Sequence, residues 1–231
     1  MRRSFRHYLK VAVIVVGVCS TSQRAMAGKV NTPPALKLTL NVYNWAHVDS
    51  DTLSRAKQEA ERIYREIGIQ TVWIDSPIDE QQQNAGSHRA SEIYVNIIPQ
   101  ATEGLGLTPS ALGVAPGHGR NRGRLYVCLD RVERLYRKQM ADTARREVSR
   151  GATTPQILGY AMAHEIGHLL GLEAHANLGI MRAVWTATDL LNLAYGSLAF
   201  SPEQGAVIRS EVELRQQAAA VVTELQGQKY E

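Results

Sequence analysis

His164, Glu165 and His168 stand within five residues of one another, as His-Glu-Ile-Gly-His. On a helix, residues four apart project from one face, about one turn apart. Two imidazoles at that spacing can reach one metal ion at the roughly 2.0–2.1 Å typical of a zinc–nitrogen bond. Glu165, the next residue round the helix, is placed to work on a water held by the metal rather than on the metal itself. Zinc lowers the pKa of such a water to about 7 and polarises a carbonyl. A neighbouring carboxylate can then act as general base and pass the proton to a leaving amine. The flanks are apolar, with Ala161, Met162 and Ala163 before the segment and Ile166, Leu169 and Leu170 interleaved with it. Three ionisable groups on a buried helix are costly without partners, and a metal supplies one. Core histidines satisfied by hydrogen bonds are the alternative.

Gly171, three residues after His168, can take the left-handed conformation that ends a helix and turns the chain. His175 follows four residues later, and Gly179-Ile180-Met181 comes next. Over residues 164–181 the chain resembles the metzincin clan of zinc peptidases, whose pattern HExxHxxGxxH is followed by a methionine turn. The resemblance implies that His164, His168 and His175 bind zinc, that Glu165 is the base, and that Met181 underlies the site as an apolar floor. The chain departs from the clan at one place. Ala174 occupies the position of the third histidine and His175 comes one residue later, so a wider turn must swing His175 back. Ala183 stands where some members carry a supplementary tyrosine.

Glu203 is the rival third ligand, in the manner of the downstream glutamate of thermolysin-like sites. Its setting, Ser201-Pro202-Glu203, fits helix capping equally well, because acids are favoured in a first helical turn. Neutral imidazole suits zinc, which favours His175. Met181 is otherwise core filler. Val184 and Trp185 could wall a substrate pocket, as the corresponding segment does in the resembled clan, or Trp185 could be a core residue. His47, His88 and His118 have no spaced partners and are expected on the surface or in loops.

These residues need a scaffold. Leu36, Leu38, Leu40 and Val42 alternate with polar residues, predicting a strand with one buried face. Ser50 or Asp51 can cap a helix bearing Leu53, Ala56, Ala60, Ile63, Tyr64 and Ile67, with Gly68 stopping it. Strands are expected at Ile69–Ile74 and Ile93–Ile98, separated by a polar loop over 75–91. Two short strands, Leu112–Ala115 and Arg124–Leu129, flank a Gly/Arg-rich turn at 117–123. Helices follow over Val132–Val148, from Thr154-Pro155 to Leu170, and from Pro202 to about Leu225. Strands gather in the first half and helices in the second, which indicates an α+β fold. The expected architecture is a small mixed sheet with a backing helix, an active-site helix and a C-terminal helix, as in the resembled clan.

The chain of 231 residues carries a formal charge of +4. Arg2, Arg3, Arg6 and Lys10, the apolar run Val11–Val18 and Ala25-Met26-Ala27 together read as a signal peptide over residues 1–27. Such a run is too short to span a bilayer, which takes roughly 20 residues. An uncleaved N-terminal anchor is the alternative. Residues 28–231 would form one catalytic domain. Removing the first 27 residues leaves 21 basic against 22 acidic residues, so the basic balance belongs to the leader and gives no support for nucleic-acid binding. Cys19 leaves with it, and Cys128, in the strand-like Leu125–Leu129, is expected as a buried thiol. The expectation is a secreted or periplasmic zinc-dependent endopeptidase acting on peptides or proteins. A zinc-binding envelope or interaction module without peptidase activity is the rival.

Overall fold

Alternation in the first strand sets one face of the sheet. The computed structural model describes residues 36–77, 92–116, 123–146 and 151–227. The expectations for the leader, Cys19, the loop over 78–91 with His88, and the turn around His118 lie outside the described residues. In β1 (Leu36–Asn44), Leu38, Leu40 and Val42 are buried while Lys37 is exposed. α1 (Ser50–Glu66) runs back, burying Leu53, Ala56, Ala60, Ile63 and Tyr64. Its cap is Asp49 rather than Ser50 or Asp51; the Asp49 carboxylate accepts the Thr52 amide at 2.9 Å. The Asn44 side chain fixes this earlier start, bonding both the amide and the carbonyl of Val48 at 2.9 and 2.8 Å.

β2 (Ile69–Asp75) returns parallel to β1, as a helical crossover requires. β3 (Glu92–Ile98) lies parallel on the other side of β1, and β5 (Arg124–Cys128) parallel to β3. β4 (Gly113–Val114), antiparallel to β5, closes the order β2-β1-β3-β5-β4 as an edge. This is the expected small mixed sheet, with β4 shorter than the predicted 112–115. Cys128 is fully buried, and its thiol is free.

α2 (Leu129–Arg146) starts directly after β5, three residues before the predicted Val132. The Asp130 amide is bonded to the Pro99 carbonyl and the Asp130 carboxylate pairs with Arg134 one turn on, which supports this first turn. α3 (Thr154–Leu169) is capped by Thr153, with a reciprocal bond to Gln156. α4 (Ala187–Ala194) was not expected: two turns are too short for a periodic signal, and its capping box, Thr186 with Asp189, uses Asp in place of the usual Glu or Gln. α5 (Pro202–Gly227) is the predicted C-terminal helix.

α1 and α3 pack together on the buried face of the sheet. Tyr64, fully buried on α1, donates its hydroxyl to the Ala163 carbonyl at 3.0 Å, directly before His164. Arg62 grips the Tyr160 hydroxyl at 2.7 Å and the Gly196 carbonyl at 3.1 Å, joining α1, α3 and the end of α4. Among the described residues no helix is long and apolar enough to cross a membrane.

Candidate metal centre

α3 is apolar nearly all round, and His164 and Glu165 are buried in it at 7% and 6% exposure. A helix this deep would leave the imidazoles unpartnered unless the chain beyond it returned, and it does. At Gly171, φ is +94°, a conformation that glycine adopts without a Cβ clash. The Leu172 carbonyl then lies 2.6 Å from His168 Nδ1, and the Ile180 carbonyl 2.8 Å from His164 Nδ1. A carbonyl can only accept, so both Nδ1 atoms carry the proton and donate. Each Nε2 is then a bare lone pair in a neutral ring, and the two face each other at 3.1 Å. Two nitrogens bound tetrahedrally to one zinc at about 2.05 Å would stand about 3.3 Å apart.

His175, exposed, completes the group; its ligand atom and those of His164 and His168 all lie within 4.8 Å of one another. Its ring centroid is 5.3 Å from that of His164 and 4.9 Å from that of His168. The extra residue before His175 is taken up in the turn, and the loop is drawn in by the bond from the Ala176 amide to the Met181 carbonyl at 2.8 Å. Glu203 is not in the group. It is exposed in the first turn of α5, where an acid is favoured, and accepts the Ser201 hydroxyl at 2.8 Å, while Gln204 makes the capping bonds with Ser201. Met181 is fully buried beneath α3, its Sδ 3.0 Å from where a Cβ on Gly167 would stand.

Burial sets the protonation of the site. It lowers His164 to about 4 and also lowers His168, so both rings are neutral at pH 7, the form a metal needs. It pushes the Glu165 carboxyl up to about 8. The donor set therefore fits zinc: three imidazoles, two of them neutral and held by carbonyls in the ligating tautomer, with a carboxyl one residue away.

Glu165 lies against the edge strand. A Cβ on Gly113 would come within 2.9 Å of Glu165 Cγ and 2.5 Å of the Tyr126 carbonyl, so only glycine fits between strand and carboxylate. Val184, 56% exposed, and half-buried Trp185 follow Met181, and Trp185 donates its indole N–H to the Ile180 carbonyl at 3.1 Å. His47 is exposed in a loop, as expected. Sequence reading did not find the roles of Gly113, Ile180 and Leu172. For the two carbonyls there is no signal to find, since every residue carries one. A glycine opening a short edge strand was the only visible cue for Gly113.

No protein-family model and no curated protein matches this chain. Among solved structures, a zinc-dependent peptidase from Methanocorpusculum labreanum strain Z shares 15% identity, with 73% of this chain and 99% of that one covered and a TM-score of 0.48. Archaemetzincin from Methanopyrus kandleri shares 14%, covering 79% and 99% at a TM-score of 0.45. Likenesses this distant assign no activity, and the chemistry of the site rests on its own atoms.

Proposed function

We propose that this chain is an exported zinc-dependent endopeptidase of metzincin type. One observation carries the reading: the Nε2 lone pairs of His164 and His168 face each other at 3.1 Å while both Nδ1–H groups are held by backbone carbonyls. His164, His168 and His175 would hold the zinc. When bound, zinc supplies Lewis-acid polarisation of a peptide carbonyl and acidifies water. Glu165 moves the protons, taking one from the attacking water and delivering it to the amine nitrogen that leaves. A carboxyl whose proton affinity is raised by burial is suited to both halves of that task. The outer edge of β4 supports strand addition by an extended peptide, beside Glu165. Residues 1–27 direct export to the periplasm or the medium, on the strength of their basic start, short apolar run and Ala-Met-Ala end.

The test uses zinc-equilibrated protein with unfolded casein as substrate. Chelator-sensitive cleavage is expected. Glu165→Gln should keep stoichiometric zinc and lose about 10²–10⁴-fold in rate. His175→Ala should lose zinc, and Glu203→Ala should retain it. Undiminished cleavage by the Glu165 variant would sink the assigned base. Zinc retention by wild type without cleavage of any unfolded protein would leave the binding-module reading in its place.

A further inference from the structure

The Ile180 carbonyl accepts from two ring N–H groups at once. His164 Nδ1 donates to it at 2.8 Å and Trp185 Nε1 at 3.1 Å. The indole also stands edge-on to the His164 ring, with centroids 6.3 Å apart and planes at 81°, and edge-on to Tyr160 at 6.3 Å and 87°. We propose that Trp185 is a positioning residue for His164: its indole N–H holds the Ile180 carbonyl where it selects the tautomer and ring angle that present Nε2 to a metal. The inference rests on the reading of His164 as a metal ligand and extends it to a residue that touches no metal.

A neutral imidazole has two tautomers, and in a buried site its hydrogen-bond partner decides between them. The wrong tautomer puts a proton where the metal bond must form. Everything then depends on the direction of one carbonyl. Ile180 lies in a turn, beside Gly179 at φ +75°, outside any strand or helix. The Ile180 amide is tied to the Ala199 carbonyl at 3.2 Å, but that bond belongs to the preceding peptide unit. A carbonyl oxygen has two lone pairs. With His164 on one alone, ring and carbonyl can tilt together. A second donor from another part of the loop removes that freedom. Trp185 supplies it from four residues beyond Met181, its own ring packed edge-on against the Tyr160 ring.

Core packing by the indole predicts that a ring without the N–H would serve as well. Positioning predicts that it would not. Long-range proton–nitrogen NMR spectra of metal-free protein read the His164 tautomer directly, with its signals assigned by their loss in His164→Gln. Zinc affinity is measured on the same samples by competition with a chromophoric chelator. Wild type should show His164 protonated at Nδ1 alone. Trp185→Phe should show a mixture with the Nε2–H form and bind zinc about 10–100-fold more weakly, as loss of a partner to a ligating histidine typically does. Tyr160→Phe, which leaves the indole N–H in place, should match wild type in both measurements. If Trp185→Phe fails to fold, benzothienylalanine at position 185 keeps the bicyclic ring, lacks the N–H, and should give the same mixture. A pure Nδ1–H tautomer in the ring variant, with zinc affinity within about twofold of wild type, would overturn the proposal. Were wild type to bind no zinc, the metal reading would fall by itself, and the tautomer would still decide the role of Trp185.

Discussion

Glu165 and His164 are neighbours on α3, and burial drives both toward the neutral form. The carboxyl is pushed up to about 8 from 4.5, and the imidazole down to about 4 from 6.5. Their links to stability have opposite signs. The folded protein holds the Glu165 proton more tightly than the unfolded chain, so that contribution is full below about pH 4.5 and is lost as pH rises through about 8. The folded protein holds the His164 proton less tightly, so that contribution is present above about 6.5 and lost as pH falls toward 4. In chelator, Glu165→Gln should therefore gain stability over wild type as pH rises from about 5 to about 8, by about 3–4 kcal/mol. Thermal unfolding at several pH values measures it. A difference that stays constant over that range would mean that Glu165 is ionised in the fold throughout. At this scale the sequence was informative about side chains and silent about their partners. The carbonyls of Ile180 and Leu172, which select the tautomers, are marked by no residue type.

At the scale of elements, the meeting of α3 with β4 governs the site. Gly113 on the edge strand leaves room for the Glu165 side chain, and a methyl there would meet both Glu165 and the Tyr126 carbonyl. Gly113→Ala should push β4 outward and displace the carboxylate while leaving the three histidines in place. Misplacement of about 1 Å can cost about 10²-fold in rate, so kcat/KM should fall by about 10–100-fold with zinc content unchanged. Wild-type turnover in that variant would show that β4 does not set the position of Glu165. Element by element, long periodic segments were legible: β1 buries Leu38, Leu40 and Val42, and α1 buries Leu53, Ala56, Ala60, Ile63 and Tyr64, as their patterns predict, with Leu36 and Ile67 half-buried at the ends. Short ones were not. α4 spans eight residues and its cap departs from the usual pairing, so local pattern had little to register. The start of α1 moved to Asp49 because Asn44 brackets Val48, a contact that no capping rule anticipates.

For the whole molecule, the three histidines come from a core helix and from the loop that folds back beneath and beside it. A metal binding them would add a further tie between parts that also meet through carbonyl bonds, Met181 and the Trp185 ring. Zinc in thousandfold excess over its Kd should stabilise the fold by about 4 kcal/mol, seen as a rise in Tm that chelator reverses. Equal unfolding temperatures with zinc and with chelator would mean that the group holds no ion. The amino-acid sequence alone determined what is local. Two imidazoles and a carboxylate on one helix follow from a spacing of four and a period of 3.6, and the buried face of β1 from a period of two. Tertiary structure decided what is not local: the strand order, the carbonyls that fix the tautomers, and which candidate third ligand stands with the other two. His175 joins His164 and His168, while Glu203 faces solvent on Ser201. One extra residue in a turn leaves every local pattern unchanged. Where that turn delivers its histidine depends on Ala176 bonding Met181 and on Gly171 reversing the chain, contacts made only once the loop has folded against α3.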